Sequence, residues 1–227
     1  MRRQSPIARQ VGIVTAVSSF LAAHNGWITE ASNHADAETR EIFMRQEISR
    51  WQSDELNIDI RCVISNHETF RGLVEWHGIR FEHVPVTPDN KLAAYAQVEP
   101  IYQEAQGDVM VLARYMQILS PGLCDRHPGQ IINIHHSFLP SFVGAKPYHQ
   151  AFDRGVKLIG ATCHYVTSEL DQGPIIEQDV IRVDRSDTPD DQVRYGKDIE
   201  KAVLSRGLRY HLEDRVLVRG KKTVVFR

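Results

Sequence analysis

Four apolar runs of strand length, residues 58–64 (IDIRCVI), 79–84 (IRFEHV), 108–113 (DVMVLA) and 130–135 (QIINIH), are separated by helix-compatible stretches. Runs so short and so continuous suit strands that are buried on both faces, a condition met in a sheet covered by helices on each side. Strands alternating with helices at this interval specify parallel βαβ units, and so an α/β fold with a doubly wound, mostly parallel sheet. Sites in such sheets lie at the carboxyl ends of the strands.

The remaining pattern extends this frame in both directions. Residues 67–77 predict a helix ending at Gly78, and residues 91–105 a helix interrupted near Pro100. Residues 156–166 and 174–183 predict two further strands, 188–212 a long closing helix, and 216–226 a terminal hairpin turned at Arg219-Gly220. Earlier in the chain, Ile13, Val14, Val17, Phe20 and Leu21 recur at helical spacing before Asn25-Gly26, which predicts an amphipathic helix over 12–24. Residues 27–29 and 42–44 predict strands around a polar turn at 33–39. That small α+β unit, residues 1–49, has too few elements to close on itself. The pattern changes near 51–56, and residues 50–227 form the α/β part.

Composition excludes several partners. A formal charge of -2 and a pI near 6.6 leave no basic excess for nucleic acid or an anionic membrane. Cys62, Cys124 and Cys163 are odd in number and form no C-x-x-C pair, which argues against a disulfide framework or a zinc knuckle and suits a reduced cytoplasm. The apolar stretch at 11–23 is broken by Gly12, Ser18 and Ser19 and is too short to span a bilayer, so neither a membrane segment nor an export signal is expected.

The chemistry concentrates where the run at 130–135 empties into Asn133, His135, His136 and Ser137. Strand alternation puts Asn133 and His135 on one face. An amide donor beside an imidazole can hold a carbonyl oxygen as it becomes an oxyanion, which suits acyl transfer. The same two residues can equally cap a strand end and satisfy loop backbone. Asp171, in the polar loop TSELDQGP at 167–174, can orient His135 or an attacking water, or can serve only as a turn residue before Gly173. His164 reads as a sheet-face histidine or a member of the same cluster. Residues 116–119 (MQIL) read as the apolar start of a helix. His127, His135, His136, His149 and His164 enrich the region in imidazole, yet no metal-ligand spacing occurs and no metal is expected.

Taken together, ARYMQILSP at 113–121, INIHHSFLPSFVGAKPYHQA at 132–151, GVKLIGATCHYVTSELDQGPIIEQDV at 155–180 and RGKKTVVF at 219–226 resemble the folate-dependent formyltransferases. The double histidine, the AKPYHQA continuation and the GPII-E-QDV strand are similar to the formyltetrahydrofolate deformylase branch. In residues 12–48, GIVTAVSSFLAAHNGWITEA and FMRQEI resemble the ACT domain that precedes the catalytic domain there. The resemblance implies a formyltransferase-like Rossmann variant that hydrolyses 10-formyltetrahydrofolate to formate and tetrahydrofolate, feeding purine biosynthesis and balancing one-carbon folate pools. It implies Asn133, His135 and Asp171 as the catalytic set and Ser137 and His164 in support. It also implies Met116, Ile118 and Leu119, with the backbone at Glu169 and Leu170, around the folate's pteridine ring. The folate is the substrate, so no cofactor is implied; an amino-acid effector at the ACT-like unit and a homo-oligomer are. Two alternatives stay open: a formyltransferase to an amine acceptor, and a non-catalytic folate-binding or regulatory protein. After Ile48-Ser49 the chain passes directly to RWQSDELNIDI, which implies an internal deletion that removes the first strand and helix of the catalytic domain.

Overall fold

A computed structural model of the protein describes residues 11–17 as backbone and residues 58–87, 89–113, 115, 119–141 and 147–227 in full. Among the described residues seven strands form one sheet: β1 (Val11–Val17), β2 (Ile58–Ser65), β3 (Arg80–His83), β4 (Val109–Ala113), β5 (Ile131–His135), β6 (Leu158–Tyr165) and β7 (Ile175–Arg182). Their order is β3-β2-β1-β4-β5-β6-β7. Pairing is parallel from β3 to β5, and antiparallel where β6 joins β5 and β7 joins β6.

The helix expected over 12–24 is corrected in its first half, because residues 11–17 are the strand between β2 and β4. The apolar spacing of Ile13, Val14 and Val17 suits either structure over so short a run. What decides is the sheet: β2 and β4 would otherwise present two open ladders in its middle. Those seven residues therefore belong to the main sheet. The rest of the unit expected over 1–49, including the strands at 27–29 and 42–44, lies outside the described residues.

Helices cover both faces, as the continuous apolar strands require. On one side α1 (Arg71–Trp76) and α5 (Pro189–Leu212) bury Val74, Val203, Leu204 and Leu208 against Val109, Val111, Ile132 and Ile134. On the other side α2 (Lys91–Glu104) and α3 (Pro121–Arg126) bury Val98, Tyr102, Leu123 and Cys124 against Met110, Leu112 and Ile131. Alternate residues of β4 thus enter opposite layers, so no polar position interrupts it. A third, smaller cluster lies under α4 (Pro147–Arg154), where Tyr148 and Ala151 meet Ile159 and Val183. The Tyr148 hydroxyl donates to buried Glu200 Oε1 of α5 at 2.8 Å.

The expected break near Pro100 does not occur; α2 runs through it. Proline removes one N–H and leaves the Ala96 carbonyl without its helical donor. Both residues are exposed, so that carbonyl faces solvent and not the core.

Helix α5 begins with a capping box in which the Thr188 hydroxyl accepts from Asp191 N at 3.2 Å and Asp191 Oδ2 accepts from Thr188 N at 3.0 Å. Thr188→Ala is expected to remove about 1 kcal/mol and lower Tm by roughly 2–4 °C, with the fold otherwise intact. Thermal unfolding followed by circular dichroism checks this; an unchanged Tm would show that the cap does not limit stability. The chain closes with β8 (Val216–Arg219) and β9 (Lys222–Val225), turned at Gly220, whose φ of +61° a side chain would strain.

Candidate active site

The antiparallel β5–β6 pair builds the site. Asn133 and His135 alternate with Ile132 and Ile134, and so continue the Ile131 row on the α2/α3 side. In the β5–β6 register Asn133 lies opposite His164 and His135 opposite Thr162; opposite residues of an antiparallel pair share a face. A polar row thereby crosses strands that are otherwise apolar.

Asp171 arrives from the loop after β6. Its φ of +53° is left-handed, a conformation that Asp tolerates better than most residues, and its carboxylate turns back over the row. Oδ1 lies 3.4 Å from His135 Nδ1 and 3.8 Å from His164 Nε2. Asp171 thus turns the loop and also faces His135. His164 Nδ1 donates to the Tyr165 carbonyl at 2.9 Å, and Asn133 Nδ2 donates to His164 Nε2 at 3.2 Å. Asn133 Oδ1 and His135 Nε2 are buried and, among the described residues, have no hydrogen-bond partner. Two orphaned polar atoms on one strand end, beside a carboxylate, indicate a place for a polar reactant.

Burial and electrostatics oppose each other here. Burial alone would raise the Asp171 carboxyl, but the His135 contact and the nearby His164 and His136 outweigh it and hold the group below its usual range. Burial also lowers His164, more than the Tyr165 carbonyl and Asp171 can compensate, so its neutral form is favoured. His211 of α5 is lowered by the same cause and takes a 2.8 Å hydrogen bond from the Tyr165 hydroxyl. A histidine whose pKa is depressed in the fold contributes stability that is complete above its unfolded value of 6.5 and is lost as pH falls toward the folded value. His211→Gln is therefore expected to flatten the decline in Tm below pH 6.5, which a pH series of melting curves measures. A decline as steep as that of the unmutated chain would remove His211 from the explanation.

Of the other residues singled out from the sequence, Ser137 lies at the turn after β5, where its hydroxyl donates to the Ser141 carbonyl at 2.6 Å. Leu119 is buried in the core beside Leu123. Leu170 is 54% exposed, and Glu169 accepts from Lys221 at 2.9 Å. Met116 and Ile118 lie outside the described residues. His127 is remote, 3.2 Å from Glu99. Among the described residues no group of three His, Cys, Asp or Glu assembles to hold a metal ion.

Two residues that the sequence reading did not single out anchor the site. The fully buried Thr162 hydroxyl donates to the Ser137 carbonyl and accepts from Leu139 N and Gln178 Nε2. Gln178 also donates to the Leu139 carbonyl at 3.2 Å. Together they pin the turn that follows His135. Thr162 stands two residues from His164 and so shares its face, a signal available in the sequence; the pairing with Gln178 depends on register and is not. Beside the Asp171 loop lies a cavity of about 480 Å3 bounded by Thr167, Ser168, Glu169, Gln172, Cys124 and Lys221.

An amide donor, an imidazole and a carboxylate converging at a strand end on an α/β sheet are the equipment of an acyl-transfer site. Comparison with known proteins agrees. The formyl transferase family model matches residues 37–208. A formyltetrahydrofolate deformylase from Corynebacterium sp. is 52% identical over 178 residues, covering 78% of this chain and 62% of the relative. The crystal structure of a formyltetrahydrofolate deformylase from Pseudomonas syringae superposes with a TM-score of 0.84 at 55% identity, covering 97% of this chain and 67% of that one. Glycinamide ribonucleotide transformylase 1 from Symbiobacterium toebii shares the fold, with a TM-score of 0.78 at 24% identity, 96% of this chain and 95% of that one being covered. The chain belongs to the formyl transferase family, in its formyltetrahydrofolate deformylase branch. It spans about three-fifths of the length of the curated deformylases it matches.

Proposed function

We propose that this chain hydrolyses 10-formyltetrahydrofolate, releasing formate and tetrahydrofolate. The observation that carries the reading is the pair of buried, unpartnered atoms, Asn133 Oδ1 and His135 Nε2, beside Asp171. In this reaction the formyl carbon sits between Asn133 and His135. Asp171, 3.4 Å from His135 Nδ1, orients that imidazole and holds the attacking water. Water adds to the formyl carbon, and the resulting oxyanion is held by the Asn133 amide and the His135 N–H. One proton passes from the water, through His135 or Asp171, to the folate nitrogen; the C–N bond then breaks and formate leaves.

The cavity beside the loop at 167–172 accommodates the pteridine ring, against the backbone at Glu169 and Leu170. In this reading the protein acts in the cytoplasm as a homo-oligomer and needs no cofactor. An amino-acid effector binds the ACT-like unit, and the formate enters purine biosynthesis. Among the described residues no helix is long and apolar enough to cross a membrane.

The test is to incubate the protein with 10-formyltetrahydrofolate without an amine acceptor and follow formate and tetrahydrofolate together. Equal release of both supports hydrolysis. Product formed only after an amine is added would make the chain a formyltransferase, and folate bound without turnover would make it a folate-binding regulator.

A further inference from the structure

We propose that His164 is a positioning residue whose tautomer locks the Asn133 amide with its NH2 end against the imidazole, so that protonating His164 turns the amide over and stops the reaction. The inference rests on the reading of this site as one that hydrolyses a formyl group.

The chain of constraints begins at the Tyr165 carbonyl, which can only accept. At 2.9 Å it requires a hydrogen on His164 Nδ1. Burial favours the neutral ring, so Nε2 carries a lone pair. A lone pair 3.2 Å from the Asn133 amide accepts only its N–H. The oxygen end must then face away from His164, and Asn133 Oδ1 is indeed buried there without a partner among the described residues. The second Nδ2 hydrogen and this oxygen are what remain for the reacting atoms.

The titratable groups that face the imidazole are Asp171, 3.8 Å from Nε2, and His135 on β5. Asp171 favours the charged ring; His135 and burial oppose it. Once Nε2 carries a proton, it confronts an N–H of Asn133 head-on. The amide relieves this by rotating so that Oδ1 accepts, which carries the Nδ2 donor to the place Oδ1 held and away from the oxyanion.

The first measurement is nitrogen NMR of the unmutated protein. It should show a protonated Nδ1, an unprotonated Nε2, and a coupling across the hydrogen bond between Asn133 Nδ2 and His164 Nε2. A protonated Nε2 at neutral pH, or no such coupling, overturns the proposal. The second measurement is kinetic, on His164→Gln, whose amide can present either end. Loss of the lock is expected to lower kcat by about tenfold with KM nearly unchanged. It should also abolish the acid limb of the kcat profile, which in the unmutated protein follows the His164 titration seen by NMR. A folded variant that keeps the same acid limb overturns the proposal. If the variant does not fold, the NMR result decides alone. Absence of formate release from the unmutated protein would refute hydrolysis, while the tautomer measurement would still judge the lock.

Discussion

Gly173→Ala is expected to reduce formate release by more than about a hundredfold and to lower Tm by several degrees. A Cβ at this position would lie 1.7 Å from the Tyr165 carbonyl oxygen and 2.8 Å from its carbon, and both are backbone atoms that a rotamer change cannot move. The same carbonyl accepts from His164 Nδ1, while Tyr165 N donates to the Pro174 carbonyl at 2.9 Å. Relief therefore requires the loop to lift from β6, which carries Asp171 away from His135 and disturbs His164. Overpacking of this kind costs roughly 1–3 kcal/mol in stability. The catalytic effect should exceed the stability effect, because displacement of about 1 Å in a reacting group is enough to cost on the order of 100-fold. Gly72→Ala on α1 is the matched control, since its Cβ would meet nothing within 4 Å. Paired assays of turnover and melting decide the matter. A Gly173→Ala protein with half-normal turnover would show that close approach to β6 does not set the loop.

Asn133→Ala should lower kcat by about 100- to 1000-fold, corresponding to roughly 3–4 kcal/mol of lost oxyanion stabilisation, while KM for the formyl folate changes little. Removing the amide also frees His164 Nε2 from its 3.2 Å contact, but it leaves Ile131 on one face of β5 and Ile132 and Ile134 on the other untouched, so the protein should stay folded. Steady-state kinetics with the product assay separates the two parameters. Near-normal kcat would remove Asn133 from the oxyanion site; a rise in KM alone would make it a binding contact.

The parts of this architecture that could be read in the sequence are those in which each residue reports its own surroundings. Val109 to Ala113 are all buried, and a run without a polar position has few other places to lie. Asn133 and His135 were legible as neighbours because a strand alternates, whatever else the chain does. Residues 11–17 were misread because their apolar spacing over two turns fits a helix as well as a strand; only the vacancy between β2 and β4 distinguishes the two, and a vacancy in a sheet is not a local property. The Thr162–Gln178 anchor was hidden for a related reason. Those residues meet through β6–β7 register, which includes a shift between Cys163 and His164. Asp171 stands between a turn residue and a partner of His135 in the sequence, and its left-handed backbone lets it turn the loop while its carboxylate lies 3.4 Å from His135 Nδ1.

The seat of β1 also dictates how the sheet must assemble. Val11 pairs with Ile58 on one side, and Ile13 with Val109 on the other. Until residues 11–17 insert, the remaining strands form two half-sheets, β2 with β3 and β4 with β5 to β7, each showing one unsatisfied edge. Closure depends on long-range contacts, and folding slows as the sequence separation of such contacts grows. During that interval the exposed edges of β2 and β4 can capture other chains. Insertion of β1 then competes with self-association, so refolding yield is expected to rise on dilution, and a yield independent of protein concentration would show that the open edges do not matter.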